Sequence, residues 1–143
     1  MADKKKILVV DDSDTFAGLI KDYLEPQHEV STVGNGISGL NMLRCAEPPY
    51  DLGLIDFVMP GINGIKLITI AKGKEYVNWH RFFQTDEDHN RFVSAYKDIP
   101  LVLCTSTPDN IDIYDSAIRA GATEVIGKSF NHKDFFGKYG IEV

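Results

Sequence analysis

Cysteine is scarce: the 143 residues include two, Cys45 and Cys104, alongside a single tryptophan. Two thiols, one in a predicted helix and one in a predicted strand, make neither a disulfide framework nor the ligand spacing of a structural metal site. Both read as buried thiols. Long apolar runs are missing as well. None approaches the roughly 20 residues of a membrane span, and the N-terminus lacks the apolar block and small-residue cleavage site of a signal peptide. The expectation is a cytoplasmic protein with no membrane role. Nor is there an excess of positive charge, since 15 Lys and Arg face 21 Asp and Glu for a net charge of −6. Without a basic stripe to neutralise phosphates, direct nucleic-acid binding is excluded as the main activity. Lys4-Lys5-Lys6 reads as a solvated flank. Repeats, linkers and low-complexity segments are absent. The remaining composition, 43% hydrophobic and 25% charged, is that of an ordinary globular chain, and its length points to one domain spanning 1–143.

Short apolar runs alternate with helical periods, which predicts βαβ units and a parallel sheet. Strands are expected at about 6–10, 28–33, 51–55, 101–104 and 124–127. The second has only Val30 and Val33 as main apolar residues and reads as an edge strand. Between them, Phe16, Leu19, Ile20, Tyr23 and Leu24 recur at helical spacing over about 14–25. A second helix covers about 36–46 and stops before Pro48-Pro49. A third starts near Gly64, a fourth spans about 108–120 to Gly121, and a short fifth follows Phe130.

The stretch from about 72 to 98 exceeds what one helix and two short loops require. It is expected to lengthen the third helix and to add another. Thr85-Asp86-Glu87-Asp88 has the form of a capped helix start with acids in the first turn, and Phe92, Val93 and Tyr96 supply an apolar face. Upstream, Tyr76, Trp79 and Phe83 share helical spacing. Trp79, Phe82 and Phe83 read as core aromatics. His28, His80, His89 and His132 are scattered without ligand spacing and read as solvated surface residues.

Chemistry concentrates where the strands end. Ile7-Leu8-Val9-Val10 runs into Asp11-Asp12, and Asp51-Leu52-Gly53-Leu54-Ile55 runs into Asp56. The last two strands end in Thr105 and Lys128. In an open α/β sheet ligands bind outside the carboxyl ends of the strands, so one edge collects the whole set. Three converging carboxylates repel one another unless a cation lies between them. Short acids suit hard Mg²⁺, which takes one or two carboxylates and bridges phosphate oxygens. An aspartate can act as nucleophile and form an aspartyl phosphate, while a hydroxyl and a compact ammonium serve the phosphoryl oxygens. Phosphoryl transfer needs mainly such positioning and charge neutralisation.

This ordered set resembles the receiver domain of two-component response regulators, in a stand-alone form like the chemotaxis regulators. The resemblance covers nearly the whole chain. It rests on Val9-Val10-Asp11-Asp12, on Asp56 with Met59-Pro60-Gly61 and Gly64, on Thr105-Ser106, on Ala120-Gly121-Ala122 and on Lys128. It implies a flavodoxin-like doubly wound α/β fold with a five-stranded parallel sheet, order 2-1-3-4-5, and a helical insertion at about 72–98 between strands 3 and 4. It also implies Asp56 as phosphoacceptor, with Thr105 and Lys128 assisting. Mg²⁺ would be held by Asp11, Asp12, Asp56 and the backbone carbonyl of Val58. The donor would be a phosphohistidine on a sensor histidine kinase or phosphotransfer protein, and the output an unknown downstream protein. Such a domain promotes its own phosphorylation and dephosphorylation without being an enzyme on other substrates. Pro60-Gly61 would supply a tight turn with glycine at positive φ.

Two positions depart from that pattern. Family members usually carry proline after the strand-5 lysine, through a cis peptide; Ser129 stands here, so the bond is either trans or strained. Three residues before the lysine, where an aromatic switch residue is common, stands Val125. Receiving phosphate is intact in the sequence, and its readout is altered. The alternative is therefore a receiver-like binding or scaffold module that does not signal through phosphate. Two other patterns fall short. Gly34-Asn35-Gly36-Ile37-Ser38-Gly39 matches a dinucleotide fingerprint, but it comes after the second strand and reads as a turn with close helix packing. The D-x-D-x-T/V signature of haloacid-dehalogenase phosphatases fails, because counting from Asp12 and Asp14 the fifth position is Phe16.

Overall fold

Strands whose alternate residues are apolar on both faces must sit between two layers. In the computed structural model, which describes residues 3–74 and 79–143, five parallel strands form the central sheet. They are β1 (Lys6–Val10), β2 (Glu29–Val33), β3 (Leu52–Asp56), β4 (Leu101–Thr105) and β5 (Val125–Gly127), in the order β2-β1-β3-β4-β5. Ile7, Val9, Leu52, Leu54, Val102 and Cys104 face one core, while Leu8, Val10, Ile55, Leu101 and Leu103 face the other. Helices α1 (Asp14–Leu24) and α6 (His132–Lys138) pack on the first side. Helices α2 (Gly36–Cys45), α3 (Gly64–Ala71), α4 (Asp86–Tyr96) and α5 (Ile111–Ala120) pack on the second. This is the flavodoxin-like doubly wound arrangement expected, with β2 at an edge.

Local chemistry starts every helix. Ser13, Asn35, Asn63, Thr85, Asn110 and Asn131 each accept a backbone N–H of the first turn through the side chain, satisfying donors that would otherwise lack a partner. The Thr85 cap and the acids behind it start α4 as the sequence predicts.

The expected lengthening of the third helix does not occur. α3 stops at Ala71, and Gly73 at φ +72° turns the chain away, a conformation that favours glycine. A 3-10 turn, Trp79–Arg81, then precedes α4; Tyr76 and the Trp79 side chain lie outside the described residues. The insertion is tied down at both ends of α4. Phe83, Phe92 and Tyr96 form a chain of rings 5.2 and 5.3 Å apart. The buried Tyr96 hydroxyl donates to the Leu43 carbonyl at 2.7 Å. The Lys72 ammonium donates to the carbonyls of Tyr96 at 2.6 Å and Ile99 at 2.7 Å. Phe83 is core, as the sequence predicts, and Phe82 packs partly buried against it.

Three readings of burial are corrected. His28 and His89 are buried, each satisfied by backbone rather than by water. His89 Nε2 meets the Ile70 carbonyl at 3.1 Å. His28 Nδ1 accepts from the Lys5 amide at 2.9 Å, so Nε2 carries the ring proton and donates to the Glu142 carbonyl at 2.5 Å. Cys45, expected inside, is exposed at the last residue of α2, whereas Cys104 is buried. No helix among the described residues is long and apolar enough to cross a membrane.

Candidate functional site

Register delivers the reactive residues to one edge. Val10 pairs with Val33 and Ile55, Asp56 pairs with Cys104, and Thr105 pairs with Gly127. Asp11 follows β1, Asp56 and Thr105 close β3 and β4, and Lys128 follows β5. Asp11, Asp56 and Thr105 are buried, and Asp12 is exposed. Oxygens from Asp11, Asp12 and Asp56 all lie within 4.8 Å of one another.

The positive charge that makes this crowd tolerable is Lys128. Its ammonium donates to Asp11 Oδ2 in a short charge-assisted hydrogen bond and lies 3.2 Å from Asp56 Oδ1. Asp11 Oδ1 meanwhile accepts from the Ser13 amide at 2.8 Å. Burial first, and then the Asp11 charge, push the Asp56 carboxyl up to about 6, against the pull of Lys128. For Lys128, burial acts downward, but the hydrogen bond and charge of Asp11, followed by Asp56, outweigh it and hold the ammonium above its ordinary value. The result is a site with one acid that titrates below neutral pH, yet well above an ordinary aspartate, and a charged lysine beside it.

The loop after β3 is shaped by close approach. Gly61 has φ +85° directly after Pro60, as the turn reading requires. A Cβ on Gly64 would come within 2.3 Å of the Asp56 carbonyl oxygen, so α3 can start this close to the acceptor strand only with glycine. The glycines of the segment 34–39 are also used for packing: a Cβ at Gly36 would lie 2.1 Å from the Ile62 carbonyl oxygen, and one at Gly39 would lie 2.8 Å from the Val10 side chain. Val58, in the same loop as Gly61, has a largely exposed side chain, 71%.

Thr105 Oγ1 accepts from the Thr107 amide at 3.1 Å and lies 3.3 Å from Thr107 Oγ1. The Lys128–Ser129 bond is trans; the cis bonds among the described residues are Glu25–Pro26 and Glu47–Pro48. Val125 is half-buried on β5. All five predicted side chains, Asp11, Asp12, Asp56, Thr105 and Lys128, thus lie along one edge.

One neighbour escaped the sequence reading. Lys128 Nζ sits 4.6 Å from the centroid of the Phe16 ring, within cation–π range. Phe16 fits the apolar stripe of α1, and nothing in the sequence couples position 16 to position 128. The only available signal was its place in the first turn after the acids. A separate cavity of about 740 Å³ lies between α2 and the insertion, lined among others by Arg44, Phe82, Arg91 and Tyr96 but by none of Asp11, Asp12 and Asp56.

Residues 7–93 match the family model described as the response regulator receiver domain. The DNA-binding response regulator MtrA of Mycobacterium tuberculosis is 26% identical over 136 residues, covering 94% of this chain and 49% of its own length. The chain therefore spans about half of that curated relative. Among solved structures, the Francisella response regulator 1452 receiver domain superposes with a TM-score of 0.72 at 19% identity, covering 96% of this chain and 95% of that one. Chemotaxis response regulator CheY4 of Vibrio cholerae gives 0.71 at 21%, covering 94% and 95%. These two likenesses speak to the fold.

Proposed function

Since the chain belongs to the response regulator receiver family, we propose that it is a phosphorelay switch whose Asp56 accepts a phosphoryl group from a phosphohistidine on a sensor kinase or phosphotransfer protein, in a Mg²⁺-dependent reaction. The observation that carries this reading is the cluster itself: three carboxylates within 4.8 Å of one another, two of them engaged by one lysine. An all-oxygen, anionic donor set fits a hard divalent cation, and the Lys128 ammonium already occupies the position of a counter-charge there. Asp11, Asp12, Asp56 and the Val58 carbonyl would hold the ion. When bound, it supplies charge neutralisation for the phosphoryl oxygens.

The protein's own groups do the rest. An ionised Asp56 oxygen attacks phosphorus; the P–N bond to the donor imidazole breaks, its electron pair stays on that nitrogen, which is protonated, and an acyl phosphate forms. Lys128 and Thr105 then bind the new oxygens. Two charge-assisted bonds of roughly 1.5–3 kcal/mol each set an upper bound of about two to four decades on the shift of a two-state equilibrium, and only the part that differs between the states counts. Signalling output passes to a protein partner.

Incubation with acetyl phosphate and Mg²⁺, followed by intact-protein mass measurement, tests the assignment. A phosphate-sized gain that disappears in Asp56→Asn is expected. No gain, together with no Mg²⁺ affinity, would leave the scaffold-module alternative standing.

A further inference from the structure

We propose that Phe16 is a positioning residue for the phosphoryl-transfer step: its ring face, backed by Phe130, keeps the Lys128 ammonium beside Asp56 when the two carboxylates that now hold it are engaged elsewhere. The inference rests on the phosphoacceptor reading and adds a residue to it.

Among the described residues Lys128 has three partners at this edge: Asp11 and Asp56 through charge, and the Phe16 ring at 4.6 Å. The proposed reaction uses both carboxylates. Asp11 would help to hold a divalent cation, whose charge would also repel an ammonium, and an Asp56 oxygen attacks phosphorus. Of these three, the ring is the one that the reaction leaves in place, and the phosphoryl oxygens that Lys128 later binds arrive only with the donor. A lysine stem carries considerable rotamer entropy, so an ammonium released by both acids tends to swing into water. Little else restrains it. β5 is three residues long and half-buried throughout, and Ser129 rather than a rigid proline follows the lysine.

The ring itself is held firmly. Phe16 meets Phe130 edge-on at 6.2 Å and 66°. Phe130 in turn packs edge-on against Phe135 at 4.9 Å and Phe136 at 6.0 Å, both buried in the core shared by α1 and α6. Its backbone is tied to the acids. Asp11 Oδ1 accepts from the Ser13 amide at 2.8 Å, and Ser13 Oγ accepts from the Phe16 amide at 3.2 Å. Two hydrogen bonds thus set the first turn of α1 relative to the carboxylate that Lys128 would leave. The cap bond is of the kind that starts every helix here; what a ring that only filled space would not need is its face under the ammonium.

A cation–π role depends on ring electrons, and a packing role does not. The rate of Asp56 phosphorylation by acetyl phosphate at saturating Mg²⁺, followed by intact mass, separates them. Four proteins are compared with wild type: Phe16→Leu, Phe16→Trp, a variant with 3,4,5-trifluorophenylalanine placed at position 16 alone, and Asp56→Asn. Phe16→Leu is expected to slow phosphorylation by about 3- to 10-fold. The trifluorinated ring, which keeps the shape but loses the negative face, should slow it similarly, while Phe16→Trp keeps the rate within about twofold. The trifluorinated protein also covers the case in which Phe16→Leu fails to fold. If that protein reacts at the wild-type rate, Phe16 acts by packing and the inference falls, while the phosphoacceptor reading stands. If wild-type protein takes up no phosphoryl group at all, the underlying reading fails and the inference goes with it.

Discussion

Asp56 is the residue whose ionisation matters most. Burial, then Asp11, raise its carboxyl to about 6, against about 4 for an unfolded aspartate. Between those values the folded protein binds a proton at Asp56 that the unfolded chain does not, so without divalent cation the contribution of Asp56 to stability falls as pH rises from about 4 to 6 and is flat beyond. Thermal unfolding across that range should show the slope, and Asp56→Asn should remove it, leaving the variant more stable than wild type at pH 7 by about 1–3 kcal/mol. Because the nucleophile must be ionised, phosphoryl uptake from acetyl phosphate at low Mg²⁺ should climb through about pH 6, and higher Mg²⁺ should shift that rise to lower pH. The acids, Thr105 and Lys128 were legible in the sequence because each follows an apolar strand and a parallel sheet gathers such ends at one edge. Phe16 was not, since its helical spacing already accounts for it as an apolar residue of α1. His28 and His89 escaped for a related reason: their partners are backbone groups distant along the chain, which no ligand spacing announces.

Among the elements, the contact between β3 and α3 is the least forgiving. Any side chain at position 64 meets the backbone of Asp56 itself, where no flexible group can yield. Gly64→Ala should therefore cost about 2–4 kcal/mol and slow phosphoryl uptake even in the folded fraction, as read by denaturant titration and mass. The insertion gives the opposite pattern. Tyr96 carries a hydroxyl held by burial at about 12 and donates to the Leu43 carbonyl. Tyr96→Phe leaves that carbonyl without its donor and should cost about 1–3 kcal/mol in urea unfolding without changing the rate at Asp56. Strand and helix order came directly from alternating apolar periods, and α4 from its Thr85 cap. The end of α3 was hidden because the apolar run of Ile65, Leu67, Ile68 and Ile70 carries no stop signal of its own, and only the left-handed Gly73 breaks the helix. Cys45 was misplaced because position along α2 does not show which way a last-turn residue faces.

At the scale of the molecule, a chain of net charge −6 concentrates three carboxylates at one sheet edge and offsets them with one lysine. Binding of a divalent cation there favours the folded state alone, so Mg²⁺ at about 100 times its dissociation constant should add about 2.7 kcal/mol and raise the melting temperature by roughly 8 °C. Chelator should reverse the shift, and Asp12→Asn should reduce it, both readable by calorimetry. The opposite edge of the sheet holds a quieter arrangement with a practical consequence. The Lys5 amide and the Glu142 carbonyl grip the two nitrogens of the His28 ring, so residues 5 and 142 are separated by one imidazole and two hydrogen bonds. The backbone between those two residues is thus nearly a closed circuit. A few glycines could join residues 5 and 142, and the stretch could be reopened at an exposed loop as a circular permutant that keeps every strand pairing and brings a fused reporter close to the acceptor edge.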